Sequence, residues 1–213
     1  MSTKKGQRAW FQSHVHDPYV RRAQEQDYRA RSAFKLQEID EKLHLFRPGQ
    51  CVVDLGAAPG AWSQYVRRRW AAMPGAGRNS LLIALDLLPM EQIDGVHILR
   101  GDIRDDAIRT EFDALLSGRQ VDVVLSDMAP NLSGIDSVDS ARVEELVETV
   151  VDVASAWLHP AGSVVAKTFH AGSYAALDQL FRQTFRTVRR FKPQASRTQS
   201  SETYLLGAGL RGG

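Results

Sequence analysis

The sequence predicts an α/β fold: one seven-stranded, mostly parallel sheet with helices on both faces and an antiparallel edge strand. Three observations predict it. From residue 51 onward, apolar runs of strand length alternate with stretches of helical spacing. The first five of those runs each end on or beside a charged residue, the pattern of an open α/β sheet with a ligand at its carboxyl edge. The chain has 213 residues and 43% hydrophobic content, which suits one full core and is short for two.

The elements follow in order. Residues 1–26 read as a basic arm with a short helix, and the arm is taken to residue 30, with the main domain at 31–213. In "RSAFKLQEIDEKL" (31–43) the apolar residues at 36, 39 and 43 have helical spacing. "RPGQ" (47–50) is a turn and "MPGAGRNS" (73–80) a loop. Strands are expected at 51–56, 81–86, 96–100, 121–126, 163–169, 186–191 and 203–208, and helices at 61–71, 104–117, 138–158 and 173–184. Near-continuous apolar strands separated by helices indicate parallel pairing with both faces covered. The last two strands are joined by the turn-like "KPQASRTQSSE", so they are expected to pair antiparallel at one edge.

Composition narrows the function. The net charge is only +2, yet residues 1–50 hold ten Lys/Arg against six Asp/Glu, and residues 181–213 hold seven against one. Residues 136–152 hold six acids against one Arg. Basic ends around a nearly neutral middle suit a polyanionic partner, although a solvated surface gives the same pattern. The single cysteine, Cys51, excludes an internal disulfide and fits a small core residue in a reducing compartment. The six histidines, His14 and His16 included, show no metal-ligand spacing, and no metal is expected. No apolar run reaches membrane-spanning length, so a cytoplasmic protein with no membrane partner is expected. The basic, acid-free first sixteen residues also fit a weak organellar presequence.

The strand-end charges are Asp54 in "VVDLG", Asp86 in "LLIALD", Asp102 in "HILRGD", Asp127 in "VDVVLSD" and Lys167 in "SVVAKTF". Helix capping accounts for one or two of the acids and poorly for the whole set. The turn after the first strand, Gly56-Ala57-Ala58-Pro59-Gly60, lacks the three-glycine dinucleotide pattern, and Pro59 removes an N–H donor. No Lys-Ser/Thr pair follows it, so a phosphate-gripping loop is excluded. A ligand without phosphate fits, and S-adenosylmethionine suits best: an acid after the second strand takes ribose hydroxyls, and acids suit a sulfonium.

"VVDLGAAPGAWSQYV", "ALDLLPM", "GDIRD", "SDMAPNLSG", "VVAKTF" and "SSETYLL" together closely resemble the FtsJ/RrmJ (RlmE) family of ribosomal RNA 2′-O-methyltransferases, with the motifs in family order from about Trp10 to Leu206. The resemblance implies a Rossmann-like S-adenosylmethionine-dependent methyltransferase fold. It implies donor contacts at Gly56, Gly60, Trp62, Asp86, Asp102 and Asp127, with S-adenosylhomocysteine as product. One departure is Ala61, where relatives usually carry a second glycine; a methyl there is expected to tighten the pocket or tilt Trp62. The family's Lys-Asp-Lys-Glu catalytic quartet falls on Lys35, Asp127, Lys167 and Glu202. The implied substrate is a uridine 2′-hydroxyl of large-subunit (23S-type) ribosomal RNA on the assembled 50S subunit, and the implied enzyme is a cytoplasmic monomer.

Each quartet member also has a plainer reading. Lys35 precedes Glu38 by three residues, a surface helix pair worth about 0.2–0.5 kcal/mol. Asp127 suits a helix cap, and Glu202 a protective charge on an edge strand. Lys167 resists such a reading, because lysine almost never lies unpaired in a strand buried on both faces. The chemistry needed is attack of a ribose oxygen on the sulfonium methyl, where alignment supplies up to roughly 7–11 kcal/mol and a basic group helps remove the proton. A free lysine, with pKa about 10.4, is almost wholly protonated at neutral pH. Lys167 is thus either a base tuned by Lys35, Asp127 and Glu202 or an orienting cation.

For RNA phosphates the first candidate group is Lys4, Lys5, Arg8, Arg21, Arg22, Arg29 and Arg31, interleaved with Trp10, Phe11 and Tyr19 for stacking; the second is Arg189, Arg190, Lys192 and Arg197. Arg67, Arg68 and Arg69 read as a solvated face. The rival readings are 2′-O-methylation of tRNA or another RNA, and a noncatalytic ribosome-assembly factor. "DMAPN" lacks the aromatic residue of base N-methyltransferases, and GAAPG argues against a nicotinamide dehydrogenase.

Overall fold

The structure, a computed structural model, describes residues 17–75, 79–131, 133–169, 174–197 and 200–212. Lys4, Lys5, Arg8, Trp10, Phe11, His14 and His16 lie outside the described residues. The chain runs α1 (Pro18–Glu25), α2 (Ala33–Leu43), β1 (Cys51–Leu55), α3 (Ala61–Ala71), β2 (Leu81–Asp86), β3 (His97–Arg100), α4 (Asp106–Leu116), β4 (Val121–Ser126), α5 (Asp136–Trp157), β5 (Leu158–Phe169), α6 (Tyr174–Thr184), β6 (Phe185–Phe191) and β7 (Glu202–Leu210).

These form a seven-stranded sheet in the order β3-β2-β1-β4-β5-β7-β6. β1 pairs in parallel with β2 and β4, β2 with β3, and β4 with β5. The antiparallel edge is present: β7 lies between β5 and β6 and runs against both. β1 is buried along its whole length, as a central parallel strand should be. The start of β5 departs from the expected 163–169, because a bulge in its pairing with β4 carries the strand back to Leu158.

The helices divide between the faces according to where their apolar stripes fall. Val143, Val147, Val150, Val151 and Ala154 recur at helical spacing on α5 and pack with Phe112 of α4 and Phe181 of α6 beneath one face. Leu36 and Ile39 of α2 and Trp62, Tyr65 and Val66 of α3 cover Val165, Tyr204 and Leu206 on the other. α1 is tied down rather than free: Asp17 caps it by accepting from the Tyr19 N–H at 3.0 Å and pairs with Arg31, and Tyr19 packs on Phe34 with ring centroids 5.8 Å apart.

Candidate active site

The parallel strands end at one rim, and a cleft of about 420 Å³ opens there between the turns that follow β1, β2, β3 and β4. Gly56, Asp86, Asp102 and Asp127 line it, with apolar walls from Leu87, Met128 and Leu146. At Gly56, φ is +69° and a Cβ would lie 2.3 Å from the Met128 Cγ, so only glycine fits. Asp86 accepts from the Ala58 N–H and the Leu88 N–H, both at 2.8 Å, which locks the turn after β1 to the end of β2. Asp102 is gripped by the Arg104 guanidinium at 2.6–3.0 Å, and Arg104 also reaches Glu145. Those hydrogen bonds hold the Asp102 carboxyl below the usual carboxylate range, against partial burial.

Two residues expected to contact the donor do not line this cleft. Gly60, at φ +104°, starts α3 and packs under Ile93, Met90 and the Arg29 guanidinium. The Trp62 side chain is buried, donates to the Ser32 carbonyl at 2.8 Å, and rests against Tyr204 with centroids 5.7 Å apart. Its indole supports the neighbouring polar cluster and forms no wall of the cleft. Ala61 is buried beside it.

The four charged residues expected to act together meet beside the cleft. Lys167 Nζ on β5 donates to the Asp127 carbonyl at 2.7 Å and to Asp127 Oδ1 at 3.1 Å. It lies 3.8 Å from Glu202 Oε2. Lys35 Nζ on α2 reaches both Glu202 oxygens, at 2.7 and 2.8 Å. Lys35 therefore does not pair with Glu38, whose carboxylate instead accepts from the Gln194 and Ala195 N–H groups. Glu202 is buried at the start of β7, and Ser196 donates to it at 2.8 Å, so an edge-strand charge is the wrong description. The Lys167 side chain is only 8% exposed, and its carboxylate partners account for a lysine in a central strand. Burial would raise the Asp127 carboxyl, but Lys167, Lys35 and hydrogen bonds from Tyr204 and Lys167 outweigh it and hold Asp127 below its ordinary value.

Sequence reasoning missed Tyr204, whose hydroxyl donates to Asp127 Oδ1 at 2.7 Å. The signal was available: Tyr204 follows Glu202 by two residues, and that spacing on a strand puts both side chains on one face. It also missed the isolation of Asp54. That carboxyl accepts from Ser63 Oγ at 2.7 Å, while its buried Oδ1 has no hydrogen-bond partner among the described residues. Burial pushes it up to about 7, with the Ser63 hydrogen bond opposing and Asp127 and Asp86 adding.

Several arginines expected to face RNA already have partners within the protein. Arg29 clamps the Pro59, Glu91 and Gln92 carbonyls at 2.8–3.0 Å, and Arg31 binds Asp17 and the Ala195 carbonyl. Arg22 stacks on Phe34, 4.4 Å from the ring centroid. Arg67, Arg68 and Arg69 are no idle solvated face: they hold the Asp94 carbonyl, the Gln26 and Asp27 carbonyls, and the buried Asp40 carboxylate. Among the described residues, no group of three His, Cys, Asp or Glu side chains is placed to hold a metal ion, and no helix is long and apolar enough to cross a membrane.

Residues 28–210 match the FtsJ-like methyltransferase family. A ribosomal RNA large subunit methyltransferase E of Paracidovorax citrulli is 56% identical over 211 residues, covering 98% of this chain and 97% of its own. The protein of the same name from Methylibium petroleiphilum is 54% identical over 217 residues, covering 98% of this chain and 96% of its own. A crystal structure of a ribosomal RNA methyltransferase from Plasmodium falciparum shares the fold, with a TM-score of 0.77 at 23% identity, over 87% of this chain and all of that one.

Proposed function

The chain belongs to the FtsJ-like methyltransferase family, and from that premise we propose that it transfers a methyl group to the 2′-oxygen of a uridine ribose in large-subunit ribosomal RNA, as a cytoplasmic monomer acting on the assembled subunit. One observation carries the reading: Asp127 both lines the cleft and binds Lys167 and Tyr204. A single side chain thus joins a nucleoside-sized pocket to a cluster with two lysines.

S-adenosylmethionine, when bound, supplies a methyl group on a cationic sulfur and leaves as S-adenosylhomocysteine. The cleft suits it: three carboxylates line it, and its one arginine, Arg104, is occupied by Asp102 and Glu145. Asp86 and Asp102 would hold the nucleoside part, and the backbone at Gly56 allows close approach. Gly60 and Trp62 act from behind, by shaping the turn and supporting Tyr204. The Asp127 charge favours a cation at the cleft's inner end.

The remaining work falls to the quartet. Lys167 orients the ribose 2′-oxygen next to Asp127. As that oxygen's lone pair forms the new O–C bond, its proton passes to the Lys167–Asp127–Glu202 group. Lys35 and Glu202 fix the Lys167 amine from the far side, so alignment is set before the substrate arrives. Labelled S-adenosylmethionine tests the reading when given with large subunits, naked ribosomal RNA or tRNA, followed by nucleoside digestion. Label in 2′-O-methyluridine from large subunits supports it. Label only in methylated bases, or only in tRNA, contradicts it.

A further inference from the structure

A second hollow lies at the opposite end of the sheet. A cavity of about 390 Å³ is lined by His44, Arg47, Gly49, Asp122, His159 and Ser163. A smaller one of about 180 Å³ is lined by Thr187, Arg189, Leu206 and Ala208, and it shares Leu43, Leu45 and Ser163 with the first. Together they form one groove running from the end of α2 to β6.

The arginines of this groove differ from most of the others. Most described arginines bind carboxylates, carbonyls or aromatic rings, exposed Arg186 on β6 being another that does not. Arg47 and Arg189 are exposed, and their guanidiniums have no such partner among the described residues. The groove's one acid is already engaged, since Asp122 Oδ2 accepts from the Cys51 N–H at 2.7 Å. Two guanidiniums against one carboxylate, whose amide partner leaves its charge in place, give the hollow a small net positive charge.

The groove also lies on the catalytic face of the sheet. Lys167 pairs across β7 with Tyr204, while Val165, two residues earlier, pairs with Leu206, which pairs with Arg189. Two residues along and two strands across place Arg189 on the order of 12 Å from Lys167. Tyr204 and Leu206 on that line are buried beneath α2, so a strand joining the two points would pass around the β6 edge over a longer path.

We propose that this groove is a second docking surface for the substrate RNA, in which Arg47 and Arg189 hold backbone phosphates of a stretch flanking the modified ribose. The proposal rests on the RNA reading above. It assigns these two side chains to affinity and registration rather than chemistry.

The test is the double variant Arg47→Gln/Arg189→Gln, with Arg47→Lys/Arg189→Lys as charge-preserving control. Binding of a labelled large-subunit RNA fragment is titrated from low to moderate salt, and methyl transfer is measured separately. The glutamine variant should raise the RNA KM about tenfold. It should also flatten the slope of log K against log salt by about one to two units, at roughly 0.7–0.9 per lost phosphate contact. kcat at saturating RNA and donor affinity should stay within twofold, and the lysine variant should keep the wild-type slope. An unchanged KM and slope in the glutamine variant, or a fall in kcat alone, overturns the proposal. Because binding is read directly, a wild-type protein that transfers no methyl to RNA defeats the functional reading and not this one.

Discussion

Burial on β1 leaves Asp54 with one hydrogen bond and two carboxylates, Asp127 and Asp86, for neighbours. Unfolded, that carboxyl ionises near 3.8; folded, it keeps its proton up to about 7. The native state therefore binds more protons across that window. The stability this group contributes is complete below about 4 and is lost as pH rises through 7. Asp54→Asn should keep the Ser63 contact and remove the titration. Urea unfolding at a series of pH values should then show wild type losing stability relative to the variant between pH 4 and 7; parallel curves would refute this. The single letters in the sequence revealed that Lys167 needed a partner, because a strand buried on both faces cannot leave an amine alone. They did not reveal that Trp62 faces Tyr204 rather than the cleft, since the direction of a side chain at the start of a helix depends on what packs above it.

α2 carries Lys35 into the site, and its position depends on the turn after its last residue. The buried Asp40 carboxylate accepts from the Leu45 N–H at 2.8 Å, the Tyr65 hydroxyl at 2.9 Å and Arg69 Nε at 3.0 Å, joining α2 to α3. Asp40→Ala leaves those donors unpaired. It should cost about 3 kcal/mol in urea unfolding, toward the lower end of buried-pair losses because Arg69 can still reach solvent. β7 depends on a missing side chain instead. A Cβ at Gly207 would lie 2.3 Å from the Phe185 ring, so Gly207→Ala should cost about 1–3 kcal/mol by the same measurement. Elements were the most legible level: α3 runs from Ala61 to Ala71 as its spacing predicts, and β2 and β4 hold to their predicted ends. The early start of β5 was hidden, because "LHPAG" has the proline and glycine of a loop while its backbone is held by β4.

Over the whole molecule, charge is divided between structure and surface in a way composition cannot show. Arg29 and Arg31 are basic letters in a basic segment, yet the fold spends them on carbonyls and on Asp17. The proposal that the N-terminal arm contacts RNA rests on Lys4, Lys5 and Arg8. Changing all three to alanine should weaken binding and flatten its salt slope by up to about two units, and an unchanged slope would remove the arm from the scheme. The mostly parallel sheet and the ligand rim were legible because parallel α/β topology brings strand ends together, whereas the grouping of Lys35 and Glu202 with Asp127 and Lys167 was implied by the family resemblance. Which cations stay unpaired was not, since the fold decides their partners. The most direct measurement is methyl transfer to large subunits by Lys167→Ala, alongside donor affinity and thermal unfolding. Donor affinity within a few-fold of wild type and a transfer rate lower by at least about a hundredfold is the expected result. A folded variant that methylates at close to the wild-type rate would contradict the central claim that Lys167, held by Asp127 beside the cleft, prepares the ribose oxygen for the methyl group.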